Sequence, residues 1–257
     1  MKLAYTRSGT PDAPAIVFLH GMAMGPWMWH DQIQHFADYD CYNVDLPGHG
    51  GSNQIAWESF DQAADCVAQL IAEDLPGKPV TLVGMSLGAV VGLHLLTRHG
   101  QMVECAVLTG PFAEPPPRWM MTVQSAILSL ALSTRVGKQL FARTLHIPPD
   151  AMPYYNQSID AFSMTAFRRI TREIVNYMPL ALDNVRVPTL LATGENDVGL
   201  NRRSVVQLAQ RVPGAVGVFA PGSHHGWNGE DPDLFNAMTR AWIEGQPLPS
   251  RLLPAVA

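Results

Sequence analysis

Short runs of apolar, β-branched-rich residues recur along the chain at 15–19, 41–44, 80–83, 103–108, 188–192 and 215–219. Between most of them lie stretches with helical spacing of apolar positions: 27–36, 58–73, 86–99, 202–211 and 233–244. Runs that are apolar at successive positions predict strands buried on both faces. Their alternation with helices predicts an α/β fold, with a mostly parallel central sheet and helices on both faces. The alternation breaks once. Between residues 110 and 187 no strand-like run occurs, and the segment is helical and punctuated by Pro115, Pro116, Pro117, Pro148, Pro149, Pro153 and Pro179. It is too long for a plain loop. The expectation is a core of residues 1–111 and 186–257, with a helical insertion at 112–185. The proline-rich end, 247–257, reads as a surface tail.

Composition narrows the class. The chain has 257 residues, 47% hydrophobic and 15% charged, which supports a sizeable core without a disulfide or metal staple. A net charge of −5 and scattered basic residues argue against nucleic acid as a partner. No run reaches the roughly 18 apolar residues of a spanning helix, and the first residues turn polar too soon for a secretory leader. Three cysteines, Cys41, Cys66 and Cys105, lie far apart without metal spacing and read as free thiols of a cytoplasmic protein. His30/His35 and His94/His99 are five apart on helical patterns, which is poor ligand geometry, so no metal is expected.

The chemistry concentrates at Gly84-Met85-Ser86-Leu87-Gly88, which follows the run 80–83 and opens a helix. A serine on so sharp a strand-to-helix turn stands exposed above the sheet edge, and the helix N-terminus faces any negative charge forming there. Asp197 follows the run 188–192, and His225 follows 215–219. The order Ser86, Asp197, His225 suits a serine nucleophile, a base to take its proton, and an acid to orient the base.

These segments, with His20-Gly21, the run from Asp45 to Ser52, Gly194-Glu195-Asn196-Asp197 and Glu230-Asp231-Pro232, resemble the α/β-hydrolase superfamily, specifically its capped serine hydrolases. The resemblance spans roughly residues 14–245. It implies an α/β-hydrolase fold in which the insertion caps the active site, and an N-terminal edge strand for which only residues 2–7 are available. It implies Ser86, Asp197 and His225 as catalytic residues, and the backbone N–H groups of Met22 and Leu87 as the oxyanion hole. His225 fits the family spacing to Glu230 and Pro232 better than His224. Some relatives carry the acid after the strand that here is the run 103–108, but that run leads into Thr109-Gly110-Pro111 with no carboxylate before Glu114, which favours Asp197. His20 is expected to fix the loop 21–25, and Asp45 and His49 to be structural. Trp27, Met85, Trp119 and Met120 are candidate substrate contacts. Met22, Met24, Leu87, Met121, Ile127, Leu128, Leu132 and Phe141 add to an apolar pocket, and Arg118 stands at its entrance.

The implied function is cleavage of a small to medium, largely apolar carboxylic ester through an acyl-enzyme, without a cofactor, by a monomer or homodimer. A lactonase, thioesterase, carbon–carbon bond hydrolase or acyltransferase shares the triad, and a non-enzymatic ligand receptor on the same scaffold is a more remote alternative. The Asn-Ser-Met-Gly-Gly elbow of the carbon–carbon hydrolases is absent.

Overall fold

A computed structural model describes residues 2–117, 119, 123, 125–126, 134–144 and 147–256. Its centre is one eight-stranded sheet, formed by β1 (Tyr5–Gly9), β2 (Ala15–Leu19), β3 (Asp40–Val44), β4 (Val80–Met85), β5 (Cys105–Thr109), β6 (Thr189–Gly194), β7 (Val216–Ala220) and β8 (Leu253–Pro254). The strand order is β1-β3-β2-β4-β5-β6-β7-β8. The six inner strands pair in parallel, and β1 and β8 close the two edges antiparallel.

Alternation along the buried strands divides the core into two faces. On β2, Ala15, Val17 and Leu19 join one apolar cluster while Ile16 and Phe18 join the other. This period of two is the pleat of a sheet covered on both sides. The first face is covered by α2 (Phe60–Asp74) and α3 (Leu87–His99), which also pack on each other. The second holds Trp29, Trp227 and Phe235, whose rings make tilted and edge contacts. Ser59 caps α2 by accepting from the Gln62 N–H.

Several boundaries differ from the sequence reading. The N-terminal edge strand is Tyr5–Gly9 rather than 2–7, and it ends at Gly9 with φ +83°. The apolar stretch at 27–36 is a 3₁₀ turn, Pro26–Trp29, followed by a short helix, α1 (His30–His35). The last strand of the parallel set extends over Val216–Ala220. The C-terminal stretch is more than a surface tail: Leu252 is buried, and Leu253 and Pro254 lie opposite Phe219 and Val218. A proline is tolerated there because an edge strand has one side without a neighbour.

Between β5 and β6 the described helices are α4 (Arg135–Thr144), α5 (Met152–Ala161) and α6 (Met164–Val175). Side chains tie this segment to the sheet domain. Glu173 accepts from Trp57 Nε1 at 2.9 Å and from the Phe60 N–H at 2.6 Å, and Arg169 donates to the Trp57 carbonyl at 3.0 Å.

Candidate active site

The carboxyl ends of β2, β4, β5, β6 and β7 converge on one edge of the sheet, where parallel α/β proteins place their ligands. Ser86 sits there between β4 and α3 with φ +54° and ψ −112°, a conformation that non-glycine residues rarely adopt. The turn is held from both sides. The Ser86 N–H donates to the Thr109 carbonyl at 2.8 Å, and the Gly88 N–H donates to the His20 carbonyl at 3.1 Å. The two glycines are required by space: a Cβ on Gly84 would lie 2.6 Å from the Gly88 carbonyl oxygen, and one on Gly88 only 2.2 Å from that of Leu19.

Asp197 and His225 reach the same edge from β6 and β7. His225 Nδ1 lies 2.8 Å from Asp197 Oδ2. The ring rests on Gly110, where a Cβ would come within 2.6 Å of His225 Cε1. Because Gly110 follows Thr109, which binds the Ser86 N–H, the serine turn and the imidazole flank the end of β5. His224 turns elsewhere and pairs with Glu230 Oε2 at 3.0 Å.

The Asp197 side chain is 2% exposed. Burial pushes its carboxyl toward protonation, but donors outweigh this and hold it below the usual carboxylate value; His225 contributes most, then Thr193 and Asn201. Thr193 Oγ1 donates at 2.5 Å, the Val198 N–H at 2.6 Å, and Asn201 Nδ2 reaches both carboxylate oxygens at 3.1 and 3.0 Å. Sequence reasoning missed Thr193 and Asn201. Both stand four residues from Asp197, and for Asn201, in the first turn of α7 (Gly199–Arg211), that spacing was the available signal.

The loop after β2 is fixed by two buried histidines. His20 Nε2 accepts from the Leu46 N–H at 3.1 Å, so Nδ1 carries the proton and donates to the Gly21 carbonyl at 2.8 Å. His49 Nε2 accepts from the Ala23 N–H at 3.1 Å, and its Nδ1 donates to the Pro47 carbonyl at 3.0 Å. Burial lowers the His20 pKa to about 4 and, with His20 nearby, holds His49 well below its ordinary value, so both rings are neutral. Between the two clamped positions lies Met22. Among the described residues, neither the Met22 N–H nor the Leu87 N–H has a hydrogen-bond partner. A Cβ on the adjacent Gly21 would sit 3.7 Å from Ser86 Cβ.

The expected substrate contacts separate. Trp27 is half-buried and donates from Nε1 to Ser158 Oγ in α5 at 2.8 Å, joining this loop to the insertion. Met85 is 6% exposed and belongs to the apolar cluster of Phe18 and Trp227, because alternation along β4 turns it to that face; it packs as a core residue. Trp119 is 72% exposed. Met120 lies outside the described residues, as do Arg118, Met121, Ile127, Leu128 and Leu132. Among the described residues no cluster of His, Cys, Asp and Glu is placed to hold a metal, and no helix is long and apolar enough to cross a membrane.

Comparison with known sequences adds the deciding observation: the profile of the alpha/beta hydrolase family matches residues 16–238. The chain belongs to the alpha/beta hydrolase family. Within it, the chain is 35% identical over 234 residues to a pimeloyl-[acyl-carrier protein] methyl ester esterase of Nitrosomonas europaea, covering 84% of this chain and 90% of that one. It is 24% identical over 245 residues to an (E)-2-((N-methylformamido)methylene)succinate hydrolase of Acinetobacter baylyi, covering 90% and 91%. The fold matches that of a thermophilic esterase from Thermogutta terrifontis with a TM-score of 0.78 at 20% identity, over 95% of this chain and 93% of that one. This alpha/beta hydrolase therefore has relatives of several hydrolytic activities on the same fold.

Proposed function

We propose that this alpha/beta hydrolase is a serine hydrolase that cleaves the carboxylic ester of a small to medium, largely apolar substrate. The observation that carries the reading is the Asp197–His225 hydrogen bond, set beside the strained Ser86 turn. In this scheme Ser86 Oγ attacks the ester carbonyl carbon while His225 Nε2 takes its proton. Asp197 holds the imidazole with its proton on Nδ1 and stabilises the cation that forms. The unpartnered N–H groups of Met22 and Leu87 receive the developing oxyanion; one such donor is typically worth about 10²–10³ in rate. The ester C–O bond then breaks, and His225 returns the proton to the departing alcohol. Water, deprotonated by His225, then attacks the acyl carbonyl; the bond to Ser86 Oγ breaks, His225 returns the proton to that oxygen, and the acid leaves.

The methyl ester esterase from Nitrosomonas europaea supports ester chemistry, since the similarity runs through 84% of this chain. The insertion at 112–185 acts in this reading as a cap, with Trp27–Ser158 as one of its ties to the site. No cofactor takes part. The free thiols Cys41, Cys66 and Cys105 accord with a cytoplasmic enzyme.

The test is turnover of p-nitrophenyl esters from acetate to palmitate by the wild type and by Ser86→Ala. The wild type is expected to show a chain-length optimum, and the variant to lose about 10⁴ or more in kcat. Undiminished turnover in folded Ser86→Ala would sink the assignment, and failure on every chain length would remove the ester reading.

A further inference from the structure

Asn201 occupies a place that the three-residue scheme does not use. It lies four residues beyond Asp197, in the first turn of α7, and is half-buried. Its Nδ2 stands 3.1 and 3.0 Å from the two Asp197 oxygens and 3.0 Å from His225 Nδ1. Facing two carboxylate oxygens, that atom has to be the amide nitrogen, because an oxygen there would oppose their negative charge. The proton of His225 Nδ1 points to Asp197 Oδ2 at 2.8 Å, so the amide serves the carboxylate and only flanks the imidazole.

With Asn201 in place, Asp197 receives donors from Thr193, Val198, Asn201 and His225. A carboxylate has about four acceptor positions, so the group is saturated and cannot rotate away from the histidine. Saturation also spreads its negative charge, which weakens its pull on an imidazolium. The ionisable groups around the pair leave this control to neutral donors. Glu195 is spent on the Gly222 N–H, His224 and Glu230 pair with each other, and Arg202 and Arg203 project from the exposed side of α7. Among the described residues His225 is the one ionisable side chain in hydrogen-bond contact with Asp197.

We propose that Asn201 is a positioning residue that locks the Asp197 carboxylate and sets the pH at which His225 becomes available as a base. The inference rests on the serine hydrolase reading. Removing the amide concentrates charge on Asp197, so His225 holds its proton to higher pH.

Asn201→Leu keeps the volume and removes the donor; Asn201→Asp keeps the shape and adds a charge. On p-nitrophenyl butyrate, the acid limb of kcat/KM is expected to move up by about half to one pH unit in Asn201→Leu, and further in Asn201→Asp. Below that limb kcat/KM falls roughly three- to tenfold, while the alkaline plateau changes less. The downfield proton resonance of His225 Nδ1, assigned by its loss in His225→Gln, should titrate with the same displacement. That resonance needs no ester turnover, so it decides the role of Asn201 separately from the substrate reading. An unmoved limb and an unmoved resonance in whichever variants fold would overturn the proposal. Full activity in Ser86→Ala would instead overturn the reading beneath it.

Discussion

The serine turn and the helical insertion meet on the same edge of the sheet and are held by different means. Around Ser86 the ties are backbone to backbone or through buried neutral histidines, and the glycines at 84 and 88 have no spare volume. Across the site the insertion is attached mainly through side chains, Trp27 to Ser158, Trp57 and Phe60 to Glu173, and the His49 ring stacked on Phe162 at 4.4 Å, with one backbone bond from the Ser163 N–H to the Gly48 carbonyl at 3.2 Å. It also leaves large apolar side chains in solvent, among them Trp119, Val136, Leu140 and Tyr154. The difference teaches that a strained turn needs backbone over-determination, because about 1–3 kcal/mol of strain relaxes wherever the surroundings allow. A segment joined by side-chain contacts can change in sequence without disturbing that geometry.

The contrast is sharpest at Gly88. In Gly88→Ala the new methyl meets the Leu19 backbone, which cannot rotate aside. A loss of about 3 kcal/mol is expected, at the upper end of overpacking costs. Urea unfolding checks it, and a loss under about 0.5 kcal/mol would show that the turn is not over-determined.

Acid should weaken the same region next. His20 titrates at about 4 when folded, against 6.5 for the ordinary imidazole. Above pH 6.5 neither folded nor unfolded chain binds the proton, and the buried ring costs nothing on this account. As pH falls from 6.5 to 4 the unfolded chain protonates first, so stability is lost across that window, by about 3 kcal/mol in total. His20→Gln cannot protonate. The stability gap between wild type and variant should narrow by that amount from pH 7.5 to pH 4, and a pH-independent gap would contradict the buried neutral ring.

The smallest effect belongs to the insertion. Trp119→Ala removes a side chain that is 72% exposed, so unfolding free energy should move by no more than about 0.5 kcal/mol. If Trp119 contacts substrate, the ester chain-length optimum shifts nonetheless. An unchanged optimum returns it to the surface.

The strand runs, the serine turn and the order Ser86, Asp197, His225 were legible because each depends on local pattern: continuous apolar runs, glycines beside a serine, residues just beyond strand ends. The preference for His225 over His224 rested on the family's spacing to Glu230 and Pro232, and in the structure His225 Nδ1 meets Asp197 Oδ2. Met85 was expected at the pocket and lies in the apolar cluster of Phe18 and Trp227; adjacency to Ser86 in sequence does not say which face of β4 a side chain takes. The edge strand at Leu253–Pro254 was read as tail, since two residues carry no periodicity and their pairing partner lies in β7.

The sequence by itself determined where the inner strands and most of the helices between them lie and which residues stand just beyond the strand ends, because those properties follow from neighbours along the chain. Only the tertiary structure decided how Asp197 is saturated, how His20 and His49 clamp the loop around Met22, and that Asn201 stands against the acid–histidine pair. Those contacts join residues on different elements, or turn on the direction of one amide, and hydrogen-bond geometry of that kind exists only once the sheet has brought its strand ends together.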